Sequence, residues 1–195
     1  MRTIKKYPGA WKMTISAEER TSLVSLARQA VAAQVTGQSR PGSPPAEGLL
    51  GEKRGCFVTL TNAGQLRGCI GTFQPDLALG EMIIEMGMSA SHDSRFFSNP
   101  ITAGELDHLH IEVSVLSPLV KTDDPLALEI GTHGIYVVGS GGRSGCFLPE
   151  VATDQGWDVR QFLDHCCTSK AGMPQGAWSQ SDTAVYLFTS EKFGG

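Results

Sequence analysis

The chain has 195 residues, 41% of them hydrophobic and 18% charged, with a formal net charge of −4 and a pI near 5.7. That length and apolar content suit one domain, or two lobes sharing a core, without disulfide or metal staples. The acidic balance lacks the basic footprint that nucleic-acid phosphates demand, no apolar run is long enough to span a membrane, and no apolar core of a secretion signal follows basic residues 1–13, so the chain reads as cytoplasmic with neither nucleic acid nor membrane as partner.

Residues 1–13 read as an N-terminal extension, a candidate for disorder, ahead of a single domain over 14–195. Ser16-Ala17-Glu18-Glu19 forms a capping box, Leu23, Leu26, Ala27, Ala30 and Val31 follow one helical face, and Gly37 supplies a stop, so a first helix is expected over 16–36. Residues 38–48 hold three prolines among Gly and Ser and read as a loop. Residues 56–61 and 66–72 flank Asn62-Ala63-Gly64-Gln65 and are expected to pair as an antiparallel hairpin. Pro75-Asp76 opens a second helix running to about 91, with Leu79, Met82, Ile83 and Met86 as its buried stripe. Gly80 and Gly87 in that helix each cost about 1 kcal/mol relative to Ala, which points to close packing against a sheet.

Residues 108–117 alternate, with Leu109, Ile111, Val113 and Val115 toward a core and His108, His110, Glu112 and Ser114 away from it. Residues 134–139 and 146–148 read as a second hairpin around Ser140-Gly141-Gly142-Arg143-Ser144-Gly145, a turn without the lysine and following helix of a phosphate loop. Val159, Phe162, Leu163, Cys166 and Cys167 recur at helical spacing before Gly172 and Pro174 and mark a third helix over 157–171, with both cysteines as packing residues. Residues 183–189 form a final strand. Hairpins separated by single helices indicate an α+β fold with a mostly antiparallel sheet and about three main helices, without internal repeats. The cysteines, Cys56, Cys69, Cys146, Cys166 and Cys167, are odd in number and lack Cys-x-x-Cys spacing; all read as thiols, and no structural zinc site is assigned.

The segment richest in chemistry is Leu66-Arg67-Gly68-Cys69-Ile70-Gly71. A regular strand puts Arg67 and Cys69 on one face and Leu66, Ile70 and Thr72 on the other. A cation beside a cysteine favours the thiolate, and Gly68 and Gly71 admit a ligand or another backbone at close range. The competing reading makes Cys69 one more small packing residue of a sheet.

Several motifs occur in order: Arg54-Gly55-Cys56-Phe57-Val58-Thr59-Leu60, Leu66 through Gly71, Asp93-Ser94-Arg95-Phe96, Ile111-Glu112-Val113-Ser114-Val115-Leu116, His133-Gly134, Leu148-Pro149, Gly156-Trp157-Asp158 and Lys170-Ala171-Gly172. Over about residues 16–190 they resemble the AMME chromosomal region candidate family, whose bacterial and archaeal members are called AmmeMemoRadiSam system protein A. The resemblance implies a two-lobed α+β fold with a cleft between the lobes, at which the Arg67–Gly71 segment lies, and an association with a Memo-like protein and a radical SAM protein. It implies no reaction, and the cofactor stays unknown. The chain departs from the pattern at Ser94, where proline is expected, which puts the local turn in question.

The candidate catalytic set is Cys69 as nucleophile, Arg67 as its supporting cation, His92 as base and Glu112 as carboxylate; Gly68, Gly71, Asp93, Arg95, Ser114 and His133 are candidate binding residues. Each has a plainer reading: His92-Asp93 as a helix-terminal pair, Glu112 as a solvated strand carboxylate, His133 as a cap at a strand entrance. His108, His110 and Glu112 have a spacing that suits zinc, but a half-exposed strand face is routinely polar, so no metal is assigned. Two functions compete. One is an enzyme acting through Cys69 on a small anionic or carbonyl-containing metabolite, by a reaction the residues do not name. The other is a non-catalytic module that binds a metabolite or docks on Memo-like and radical SAM proteins. A third reading has the motif merely packing the lobes.

Overall fold

A computed structural model describes residues 14–195; the expected N-terminal extension lies outside the described residues. In chain order the elements are α1 (Ala17–Thr36), β1 (Cys56–Asn62), β2 (Gln65–Thr72), α2 (Leu79–Ala90), β3 (Leu109–Leu116), β4 (Val120–Thr122), β5 (Gly134–Val138), β6 (Ser144–Phe147), α3 (Pro149–Gln155), α4 (Val159–His165), β7 (Ala184–Phe188) and β8 (Ser190–Gly194). They make an α+β fold of two antiparallel four-stranded sheets, ordered β2-β1-β3-β8 and β4-β7-β5-β6. The described chain divides into two compact units, residues 14–116 with 191–195, and residues 117–190.

In the first unit α1 begins and ends where its caps dictate. The Ser16 hydroxyl accepts from the Glu19 N–H, the Glu19 carboxylate accepts from the Ser16 N–H, and Gly37 turns left-handed at φ 68° to return its N–H to the last turn. Helix α2 starts later than the proline suggests, because Ala78 stays extended and the Leu79 N–H is tied to the Glu52 carbonyl at 2.7 Å. Its glycines serve other contacts than the expected sheet packing. A Cβ on Gly87 would lie 3.1 Å from Ala30 Cβ, so Gly87 lets α2 cross α1 closely, and one on Gly80 would lie 2.4 Å from Pro44 Cγ, so Gly80 admits the proline-rich loop. Both helices cover one face of the sheet, where Val58, Leu60, Ile111, Val113 and Val115 are buried against Leu23, Ala27, Ile83 and Ile84.

The hairpin turn, with Ala63 at φ 48° and Gly64 at φ 78°, joins β1 to β2. Register then shifts: Asn62 faces Gln65 and Thr61 faces Leu66, but Leu60 faces Gly68 and Thr59 faces Cys69. Arg67 is the extra residue of a β-bulge. Leu66 therefore falls with Thr61 and Cys69 on the face away from the helices, and not with Ile70 as a regular strand requires.

In the second unit Ile135, Val137, Phe147, Val185 and Leu187 pack with Ala152, Phe162, Leu163, Cys166 and Cys167 in one core, where the Phe147 and Phe162 rings stack at 5.7 Å. The helical segment expected over 157–171 is α4, capped by Asp158 through the Gln161 N–H, followed by a π turn over Cys166–Lys170. The short α3, opened by Pro149 and closed by left-handed Gly156, is additional, as are β4 and β8. Among the described residues no helix is long and apolar enough to cross a membrane.

Candidate functional site

The outer edge of β2 is closed by the segment after α2. Asp93, with a side chain 2% exposed, accepts from the Cys69 N–H at 3.0 Å, and Arg95 donates to the Cys69 carbonyl at 3.0 Å. The two side chains thus supply the acceptor and donor that a further strand would offer, and they pair with each other at 2.5 Å. The Asp93 carboxylate also accepts from the Arg95 N–H, which caps a 3₁₀ turn over Ser94–Phe96; the turn forms with Ser94 where the resemblance led to an expectation of proline. The Arg95 guanidinium holds the Asp93 carboxyl down at about 2, against burial, which alone would push it up; the Cys69 and Arg95 N–H groups assist.

Arg67 does not act as the partner of the Cys69 thiol. Its guanidinium makes a two-point contact with Glu105, at 3.0 Å on each oxygen, and a 3.3 Å bond to the Pro100 carbonyl. Arg67 and then Asn62 hold Glu105 below the usual carboxylate range, again against burial. The contact to the Cys69 sulfur comes from the Thr59 hydroxyl, which donates at 3.2 Å across the hairpin. Glu112 faces Thr59 on the other side and pairs with Lys192 of β8 at 3.2 Å, so Cys69, Thr59, Glu112 and Lys192 form one polar row across the sheet.

The close approaches at Gly68 and Gly71 are made by the chain itself and leave no room for a ligand there. A Cβ on Gly68 would sit 2.0 Å from the Ala90 carbonyl oxygen at the end of α2, and one on Gly71 would sit 2.2 Å from the Phe57 ring. Ser114 is buried opposite Phe57. His133 lies in the second unit, where its Nδ1 accepts from the Glu129 N–H at 3.0 Å and burial pushes its imidazole down. His108 ends a 3₁₀ turn and is not part of β3, so the alternating triplet loses its first member; among the described residues no group of three His, Cys, Asp or Glu could hold a metal.

A pocket of about 250 Å³ adjoins the edge, lined by Arg67, Ser91, His92, Asp93, Phe96, Phe97, Pro100 and Ile101. His92 is exposed there, with Nδ1 3.3 Å from the Ser91 hydroxyl, and Phe97 is 88% exposed. Sequence reasoning brought Asp93, Arg95 and Cys69 together and missed Glu105, Thr59 and the apolar wall. Thr102 three residues before Glu105 is a legible capping box, and it does form, although nothing local links it to Arg67.

The AMMECR1 family model matches residues 24–193 of the chain. Protein MK0488 of Methanopyrus kandleri is 39% identical over 190 residues, covering 93% of this chain and 90% of its own. A protein of Methanothermobacter thermautotrophicus is 36% identical over 187 residues, with 92% and 95% covered. The crystal structure of the uncharacterized Protein PH0010 of Pyrococcus horikoshii matches with a TM-score of 0.81 at 37% identity, over 92% of this chain and 93% of that one.

Proposed function

Because the chain belongs to the AMMECR1 family, membership of which assigns no reaction, we propose a function from its own residues: a binding module for a small metabolite, seated in the pocket beside β2. One observation carries this reading. The charged candidates are engaged within the fold, Arg67 by Glu105, Glu112 by Lys192 and Asp93 by Arg95, while the apolar wall of the pocket stands open at Phe97. At about 250 Å³ the pocket lies just under the roughly 300–1,000 Å³ of ordinary ligand sites, which suits a small molecule. Phe96 and Phe97 take its apolar or aromatic part, and His92 takes a carbonyl or carboxylate.

A thermal-shift screen of small carboxylates and carbonyl compounds tests it. The expected result is a ligand whose stabilisation is lost in Phe97→Ala and His92→Ala and kept in Cys69→Ser. A screen without a stabilising compound, or one whose hits ignore Phe97 and His92, overturns the reading. The Memo-like and radical SAM partners implied by the family resemblance belong to this reading as expectations. Co-purification with and without reductant checks them, and absence of a complex in both conditions counts against them.

The contact from Thr59 to the sulfur of the partly buried Cys69, in a row with Glu112, favours a second reading in which Cys69 is a nucleophile. That reading requires Cys69→Ala to abolish turnover of a bound compound while leaving the fold intact.

A further inference from the structure

The glycine-rich turn between β5 and β6 finds no use in the reading above. Gly141 and Gly142 both have positive φ, 70° and 76°, with open space around them, and the turn closes through the Gly139 N–H on the Arg143 carbonyl at 2.9 Å. The Arg143 Nε then donates back to the Ser140 carbonyl at 3.3 Å, and its terminal nitrogens hold no other partner among the described residues. This turn presents an arginine, not the row of backbone N–H groups of a phosphate loop.

Arg143 lines a pocket of about 290 Å³ with Ser140, Gln180, Asp182 and Thr183, and with Met173, Pro174 and Ala177 as its apolar lining. Met173 is fixed in place: its N–H is bonded to the Cys167 carbonyl at 2.8 Å, and its sulfur lies 2.2 Å from where a Cβ on Gly139 would be. Asp182 carries the opposite charge on the same pocket and forms neither an ion pair with Arg143 nor a hydrogen bond through its carboxylate among the described residues.

We propose that this pocket binds a small zwitterion of the α-amino-acid type, with its carboxylate on Arg143, its ammonium on Asp182 and an apolar side chain on Met173, Pro174 and Ala177. Two unpaired opposite charges on one small pocket are complementary to a molecule carrying the same charges in reverse order. A dicarboxylate or a phosphate ester sets like charge against Asp182, and a diamine does so against Arg143, so both classes are rejected. The volume, just under the ordinary range of ligand sites, fits one amino acid. The site lies in the second unit and does not rest on the reading above.

Amide-resolved NMR titration of the chain with glycine, L-leucine, L-methionine and L-glutamine, and with N-acetyl-L-leucine and L-leucinamide, tests the assignment. One of the apolar amino acids is expected to shift the Ser140, Arg143, Gln180 and Thr183 amides, while acetylation or amidation weakens binding by about tenfold or more, the value of one charged hydrogen bond. Arg143→Gln and Asp182→Asn are each expected to cause a similar loss with an unchanged melting temperature, since both side chains are exposed. Silence of these amides toward every amino acid at millimolar concentration, or equal responses to leucine and its two derivatives, overturns the proposal. The ligand-derivative arm decides it even where a variant misfolds. Shifts confined to residues 91–101 report on the pocket beside β2 and count against this one.

Discussion

Asp93 ties the loop after α2 to the edge of β2, and its ionisation makes that tie testable. Its carboxyl is held at about 2 against an ordinary 3.8, first by the Arg95 guanidinium. A folded value below the unfolded one means that the unfolded chain takes up the proton first as the pH falls. The stabilisation is complete above about pH 5 and disappears between about pH 4 and pH 2, and it amounts to something on the order of 2 kcal/mol. Asp93→Asn keeps an oxygen for the Cys69 N–H and loses the charge, so urea unfolding at pH 7 is expected to show a loss of about 1–2 kcal/mol that shrinks by pH 3. Asp93→Ala also strips the Cys69 N–H of its acceptor and is expected to cost about 3 kcal/mol at pH 7. An Asn variant whose stability falls with acid as steeply as the parent's refutes this account of the edge.

The hairpin is the element in which local chemistry and its limits both show. Both central turn residues have positive φ, the type I′ pattern, yet the first is Ala63, a residue that pays roughly 1–2 kcal/mol in the left-handed region. Ala63→Asn creates the favoured Asn-Gly pair and is expected to raise stability by about 0.5–1 kcal/mol, read as an increase in melting temperature. The hairpin itself was legible from alternation and turn residues, as α1 was from its capping box, because those signals lie within a few residues of one another. The bulge was not. Counting back from Asn62 facing Gln65 in a regular ladder sets Cys69 opposite Val58, on the helix-covered face, whereas the extra residue at Arg67 turns it to Thr59 and the open face. What demands the bulge is tertiary: Arg67 is drawn to Glu105, 38 residues away, and Gly68 is pressed under the end of α2. Gly68→Ala sets a Cβ 2.0 Å from the Ala90 carbonyl oxygen, a backbone atom that cannot rotate away. The expected cost is about 3 kcal/mol by urea unfolding, and a neutral effect excludes this packing.

Across the two units the five thiols occupy unlike surroundings, and that contrast is what a sequence count of cysteines cannot supply. Cys56, Cys166 and Cys167 are fully buried; burial pushes Cys56 up to about 12 and also raises Cys166 and Cys167. Cys146 is half-buried, and burial, partly offset by Lys170, carries it to about 11. Alkylation needs both access and thiolate, so these four are slow in the folded chain at pH 8. Cys69 is partly buried, as Cys146 is, and lies beside the Thr59 hydroxyl at the sheet edge. Treating the native chain with limiting iodoacetamide and reading the peptides by mass spectrometry is therefore expected to show Cys69 modified first, Cys146 well behind, and the other three only on unfolding. If Cys69 lags behind Cys146, the thiol is closed off by the fold and the nucleophile reading is lost, while the proposal of a metabolite in the pocket beside it, which makes no use of the sulfur, is left standing. If Cys69 leads, blocking it discriminates between the two readings: a bulky adduct that abolishes turnover but spares ligand-induced stabilisation separates chemistry at the sulfur from binding at Phe97 and His92.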